Sequence, residues 1–215
     1  MKIKNKILYH TSVTKEGESF FDKNTHINID SSEKNPRFSE LINFEPKQII
    51  NGKEMGWLKY LDYLLENEKM FGQPINWKGL LRNITDISYR LNNRYYEKIF
   101  EEIRIKEFSE LPSRYSCIYL ADKKNIEKWH RKALNQLKEP EFPIYEFKAT
   151  GFLHYGDEEW LEVDVVSEKE YREIARKYWS GEKHPHSKDL FEILFTGTLT
   201  VTNKYKNIDE LLKVI

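Results

Sequence analysis

Between Glu45 and Phe108 the apolar residues recur at three-and-four spacing, while on either side of that block they alternate or run in short bursts. A chain of 215 residues that changes period twice is neither a helix bundle nor an all-β barrel. In the block, KEMGWLKYLDYLLENEKMF sets Trp57, Leu58, Leu61, Leu64 and Leu65 on a helical stripe, and YYEKIFEEIRIKEF does the same with Tyr96, Ile99, Phe100 and Ile103. GLLRNITDISYRLNNR between them predicts a third helix, and Pro112 in ELPSR ends the block. Outside it, KILYHTSV predicts a strand ending near His10, SCIYLAD a short buried strand, and IYEFKATGFLHYG and EWLEVDVVS half-buried strands. LFEILFTGTLTVT is the strongest strand signal. TKEGES reads as a turn and DKNTHINIDSSEKNPRFSE as loop. Helices are expected over about 123–138 and 167–179, the second capped by Ser167 with Glu170 three residues on, and IDELLKV closes the chain. Strands and helices that do not alternate regularly give α+β, in one domain over 1–215 with a helical insertion at 45–110.

Thirty-five basic side chains balance thirty-five acidic ones, so no whole-protein field draws the chain to nucleic acid or anionic lipid. A single cysteine, Cys117, excludes an internal disulfide and a multi-cysteine zinc site, and it sits in an apolar run as a packed core thiol would. In MKIKNKILYHTS only ILY is apolar, too short for a signal-peptide core or a membrane span; the chain is expected to be soluble and cytoplasmic. Aromatic residues make up 14% of the chain, enough for several to line a pocket.

G-x-G-x-x-G, G-x-x-x-x-G-K-[ST], G-x-S-x-G and H-E-x-x-H are all absent, which removes support for the common nucleotide, phosphate, esterase and zincin chemistries. His184 and His186 in SGEKHPHSKD lie among loop formers, and no metal site is assigned. Lys123, Lys124, Lys128, Arg131, Lys132 and Lys138, against Glu127, give one basic helix face that could meet a polyanion.

Three strands each present one polar or aromatic group among apolar neighbours: His10 in LYHTS, Tyr119 in CIYLAD and Glu192 in FEILFTGTLTV. In this order they resemble the His-Tyr-Glu class of ADP-ribosyltransferases, the poly(ADP-ribose) polymerase and diphtheria-toxin-like branch. In that class the first strand ends His-Gly-Ser or His-Gly-Thr. A Gly-Ile-Tyr-Phe-Ala-Asp strand then leads into a helix with a second aromatic, and a glutamate opens a late strand. Trp129 stands where the second aromatic belongs, while Thr11 and Cys117 replace the two glycines. The run YYEKIFEEIRIKEFSELPSRYSCIYLAD is also similar to a bacterial uncharacterised-domain family of this fold. The resemblance covers residues 7–14 and 113–202.

The resemblance implies an ADP-ribosyltransferase-like split β-sheet core, and NAD as substrate with no metal. It implies that Glu192 holds the 2′-hydroxyl of the nicotinamide ribose, where a carboxylate stabilises the oxocarbenium-like transition state of glycosidic cleavage. Tyr119 and Trp129 would sandwich nicotinamide, His10 would bond the adenosine ribose, and the Thr11 backbone, beside Ser12, would hold the carboxamide. Arg114 or a lysine of the 123–138 helix would pair with the pyrophosphate. The acceptor would be a protein, a nucleic acid or water, and Leu190 two residues before Glu192 disfavours the arginine-modifying class. Two other readings stand beside this one: an inactive binding module of the same fold, and nucleic-acid binding through the basic helix. RNA 2′-phosphotransferases share the fold but depend on Arg and His rather than Glu.

Overall fold

The computed structural model describes all residues except 31, 33–38, 42, 51–52, 67–68, 71–72, 75, 138–140, 162–166 and 215, with the backbone alone at Ile50, Lys69, Met70, Gln73 and Pro74. Its helices and antiparallel sheets make the chain an α+β protein. Two compact units form, one from Met1–Asn35 with Ile99–Ile215 and one from Pro36–Lys98.

The larger unit is built on a five-stranded sheet in the order β1 (Lys2–Thr11), β8 (Ile144–Asp157), β9 (Phe191–Tyr205), β2 (His26–Ile29), with β7 (Ile118–Leu120) also paired to β9. Just beyond β7, Ala121 exchanges two backbone hydrogen bonds of 2.8 Å with Tyr9 of β1. The ring β1-β8-β9-β7 is thereby closed. The long β8 and β9 pair along their whole length, and where they cross most closely only glycine fits: a Cβ on Gly151 would lie 2.1 Å from the Thr196 carbonyl oxygen, and Gly197 has φ 128°.

One face of this sheet buries Leu8, Leu120, Phe147, Leu153, Ile193, Phe195 and Leu199 in a single cluster. Helix α1 (Lys15–Lys23) covers it through Phe21, whose ring lies 5.4 Å from Phe147 and 5.0 Å from Tyr145. This helix replaces the turn expected at TKEGES, because Thr14 caps the amide of Gly17 and Glu16 and Glu18 sit in the first turn, where the helix dipole favours anions. Likewise, part of the expected loop after it is β2, recruited as an edge strand by β9.

The other face is covered by α5 (Glu168–Ser180), which starts at the expected cap Ser167, whose hydroxyl accepts from the Glu170 amide and donates to the Glu170 carboxylate, and buries Tyr171, Ala175, Tyr178 and Trp179. The end of α3 (Trp77–Glu107) packs there as well: the Trp179 indole donates to the Phe100 carbonyl at 2.8 Å. A third cluster, with Tyr9, Ala121, Ile126, Ile144, Ile208 and Leu211, lies between β1 and two helices, α4 (Ile126–Leu137) and α6 (Ile208–Leu212). EWLEVDVVS begins within the 3-10 turn Glu158–Trp160 and its cap Leu161 and ends at Ser167, the cap of the helix that follows, while 162–166 of that expected strand lie outside the described residues.

The smaller unit holds two hairpins, β3 (Lys47–Ile50) with β4 (Lys53–Gly56) and β5 (Lys69–Met70) with β6 (Gln73–Pro74), α2 (Trp57–Glu66) and α3 as far as Lys98. Its core is Trp57, Tyr60, Leu64 and Leu80, with Leu61 packed against it; Leu58 and Leu65, expected on the same stripe, are 77% and 76% exposed. The second and third predicted helices are one helix of 31 residues, since neither Pro nor Gly interrupts the chain between Leu80 and Phe108. The Asn76 side chain accepts from the Gly79 amide at its start.

Candidate active site

Antiparallel register brings the second and third motifs together. Tyr119 pairs with Leu194 and Leu120 with Ile193, so Glu192 lies diagonal to Tyr119 on the same face of the sheet. Gly156 of β8 stands directly across from Glu192. It leaves the space above the strand empty, and the Tyr178 ring fills it: a Cβ at 156 would lie 2.1 Å from that ring. Tyr178 donates its hydroxyl proton to Glu192 Oε1, and Arg114 forms an ion pair with the same oxygen. A second bond from Arg114, 3.0 Å long, ends on the Tyr178 hydroxyl oxygen. Glu192 and Arg114 are 7% and 6% exposed. The guanidinium carbon is 5.7 Å from the Tyr119 ring centre and 5.4 Å from that of Tyr178, within cation–π range of both. Burial, then the Glu192 charge, pushes the Tyr178 phenol well above its ordinary pKa, so it stays protonated as a donor.

The first motif joins through His10. Its Nδ1 lies 2.8 Å from the Tyr119 carbonyl, across 109 residues of sequence. A carbonyl only accepts, so Nδ1 carries the proton. Burial lowers the pKa of the ring, which leaves Nε2 of the neutral imidazole as an acceptor. Along β1, Tyr9 turns its amide and carbonyl toward Ala121, while the Ser12 amide bonds Pro143. Strand alternation therefore aims the Thr11 amide and carbonyl to the β7 side as well. The Thr11 side chain meets a buried His130 at 3.4 Å. Ser12 is buried and its hydroxyl bonds the Thr14 carbonyl, just ahead of α1. Neither Thr11 nor Cys117 has positive φ, so both positions accept a side chain without backbone strain. The Cys117 thiol is buried against the Arg114 carbonyl.

Trp129 is held differently from the expectation of a ring stacked opposite Tyr119. Its indole donates to the Phe191 carbonyl at 2.9 Å, and its body packs on the cluster of Tyr9, Ala121 and Ile126. The Lys132 ammonium lies 5.5 Å from its ring centre and pairs with buried Glu158. Each of the two rings expected to grip nicotinamide is thus met by a cation of the chain that is itself paired with a carboxylate. Arg114, expected at the pyrophosphate, turns inward to Glu192 because a buried carboxylate needs a charged partner.

Other sequence signals disperse. His184 and His186 form a turn, with the Trp160 ring edge-on to His184 at 4.4 Å, and among the described residues no group of three His, Cys, Asp or Glu could hold a metal. On the basic helix, Arg131 pairs with Glu127, Lys132 with Glu158, and Lys128 donates to the Lys188 carbonyl; Lys138 lies outside the described residues. Sequence reasoning missed Tyr178 and Gly156. The available signal was the spacing Tyr171, Ala175, Tyr178 on a capped helix, which ends its buried stripe in a phenol.

Residues 8–210 match the family described as protein of unknown function (DUF2441). The chain belongs to this family. The match begins in the strand of His10, ends in α6, and takes in Tyr119 and Glu192. No curated protein matches the chain. Among the described residues of this family member, no helix is long and apolar enough to cross a membrane.

Proposed function

We propose that this chain is an NAD-dependent ADP-ribosyltransferase, with the ring β1-β8-β9-β7 as the split-sheet core of that fold. The observation that carries the reading is the adjacency of the three motif strands: His10 bonds the Tyr119 backbone carbonyl from the Phe21 face of the sheet, and one strand register sets Glu192 beside Tyr119 on the other face. The register alone would follow from any β7–β9 pair. Its conjunction with a buried Glu192, and with a His10 whose pKa burial lowers, supports a site, since a perturbed group such as His10 is found where chemistry is done.

In this reading the bond between nicotinamide and C1′ of the ribose breaks, and nicotinamide leaves as a neutral molecule with the bond electrons. The acceptor nucleophile attacks C1′ and loses its proton to solvent water. Glu192 takes the ribose 2′-hydroxyl as donor, steadying the positive charge that develops on the sugar. Nε2 of His10 accepts from a ribose hydroxyl, Tyr119 lies along the nicotinamide ring, and the Thr11 amide and carbonyl serve the carboxamide. The acceptor is a protein or a nucleic acid. The single cysteine, a buried thiol, supports a cytosolic setting.

The enclosure of Glu192 by Arg114 and Tyr178 favours a second reading, a module of the same fold that binds NAD and leaves it intact. Incubation with NAD separates them. The transferase releases nicotinamide and Glu192→Gln loses that release at least a hundredfold, whereas a binding module shows heat of NAD binding in calorimetry and no product. Release that is equal in Glu192→Gln removes this residue from the mechanism.

A further inference from the structure

Two donors converge on one oxygen of Glu192. Tyr178 and Arg114 both bond Oε1, and among the described residues no hydrogen bond is made to Oε2. The direction of every bond is forced: a guanidinium only donates, a carboxylate only accepts, so the Tyr178 hydroxyl must take its bond from Arg114 and give its proton to Glu192. Each group of this triangle is at least nine-tenths buried. Tyr178 is fixed in turn: its ring sits on Gly156, stands 5.3 Å from the rings of Phe100 and His154, and its backbone carbonyl bonds His154 Nε2 at 3.0 Å. A carboxylate on a strand has free χ angles; this one has its rotamer set by two partners that are themselves packed in place.

We propose that Arg114 and Tyr178 are positioning residues for the transferase reaction: they hold Glu192 by Oε1 and reserve Oε2 for the ribose 2′-hydroxyl. This rests on the transferase reading. Neither residue touches NAD in this account; each acts through the orientation and charge of Glu192, which must already be in place when the glycosidic bond breaks. Arg114 supplies the charge that makes a buried carboxylate tolerable, and Tyr178 supplies direction.

The test is steady-state nicotinamide release by wild type, Tyr178→Phe, Arg114→Lys and Arg114→Met, with melting temperature and NAD affinity measured on each protein. Tyr178→Phe removes one hydroxyl and no ring, so it keeps the fold. Its kcat is expected to fall roughly ten- to a hundredfold, the range for one hydrogen bond to a charged group, with KM within about threefold of wild type. Arg114→Met falls further, and Arg114→Lys, which retains the charge, recovers part of the loss. Tyr178→Phe and Arg114→Lys that both turn over at the wild-type rate overturn the proposal while leaving the transferase reading intact. So does an Arg114→Met protein that binds NAD more tightly and turns over faster, since Arg114 would then be blocking the site. Wild type that binds NAD and releases no nicotinamide removes the transferase reading and this proposal with it.

Discussion

Phe21, Phe147 and Phe195 meet on one face of the curled sheet in a cluster that carries no buried charge, whereas beneath α5 on the other face lie Glu192, Arg114 and His154. Each face is covered by an amphipathic helix, α1 on the first and α5, with the end of α3, on the second. Hydrocarbon is sufficient to stabilise a face of this kind, and replacing a buried ion pair by apolar groups is often neutral or stabilising. The polar face therefore calls for a reason other than stability. Holding NAD against Tyr119 and Glu192 is the reason proposed here.

Truncation should break the two faces by different mechanisms. On the apolar face, Phe147→Ala leaves a cavity at a fully buried site and is expected to cost about 3–5 kcal/mol, read from the urea midpoint, with no second substitution nearby that restores it. On the polar face, Arg114→Met is expected to cost about 3–4 kcal/mol by stranding the Glu192 charge. Adding Glu192→Leu to it should then recover most of that loss, and a double variant as unstable as the single one would show that Arg114 stabilises by packing alone.

The pH response sharpens the contrast next. His154 is 6% exposed, and burial pulls its pKa from 6.5 to about 4. A histidine held neutral in the fold stabilises above its unfolded pKa, and that contribution is lost as pH falls from 6.5 through about 4, up to about 3 kcal/mol in all. Urea titrations of wild type and His154→Gln should converge as the pH is lowered through this window. Parallel curves would mean that His154 does not sense its burial. Gly156→Ala comes below these, at about 1–3 kcal/mol, because the new methyl group runs into the Tyr178 ring. It should also move Tyr178 off Glu192 and lower any turnover, an effect with no counterpart on the apolar face. Arg172→Ala on the outer side of α5 removes exposed pairs with Glu102 and Glu168 and is expected to shift stability by less than about 1 kcal/mol.

The strands that carry the three motifs were readable because β-branched and aromatic runs have few other uses, and α5 was readable from the Ser167 and Glu170 cap. Helix α1 was not, since its Gly17 and charged residues look like a turn until Phe21 finds the sheet to cover. The single long α3 was divided in two because local pattern cannot tell a polar stretch such as Asn92-Asn93-Arg94 within a helix from a loop between helices. Of the proposed site, His10, Tyr119 and Glu192 were singled out from the sequence and the partners that the structure gives them were not. Arg114 and Tyr178 are 64 residues apart, and nothing local in either sequence neighbourhood points to a shared carboxylate. The same holds for Lys132 and Glu158, 26 residues apart, which hold one side of Trp129.

A crystal structure of the protein soaked with NAD tests the central claim most directly. The account predicts the nicotinamide ring along Tyr119, the adjoining ribose 2′-hydroxyl within hydrogen-bond distance of Glu192 Oε2, and the carboxamide on the Thr11 backbone. NAD bound on another surface, or a Tyr119 and Glu192 face that stays closed by Arg114 at saturating NAD, would contradict it.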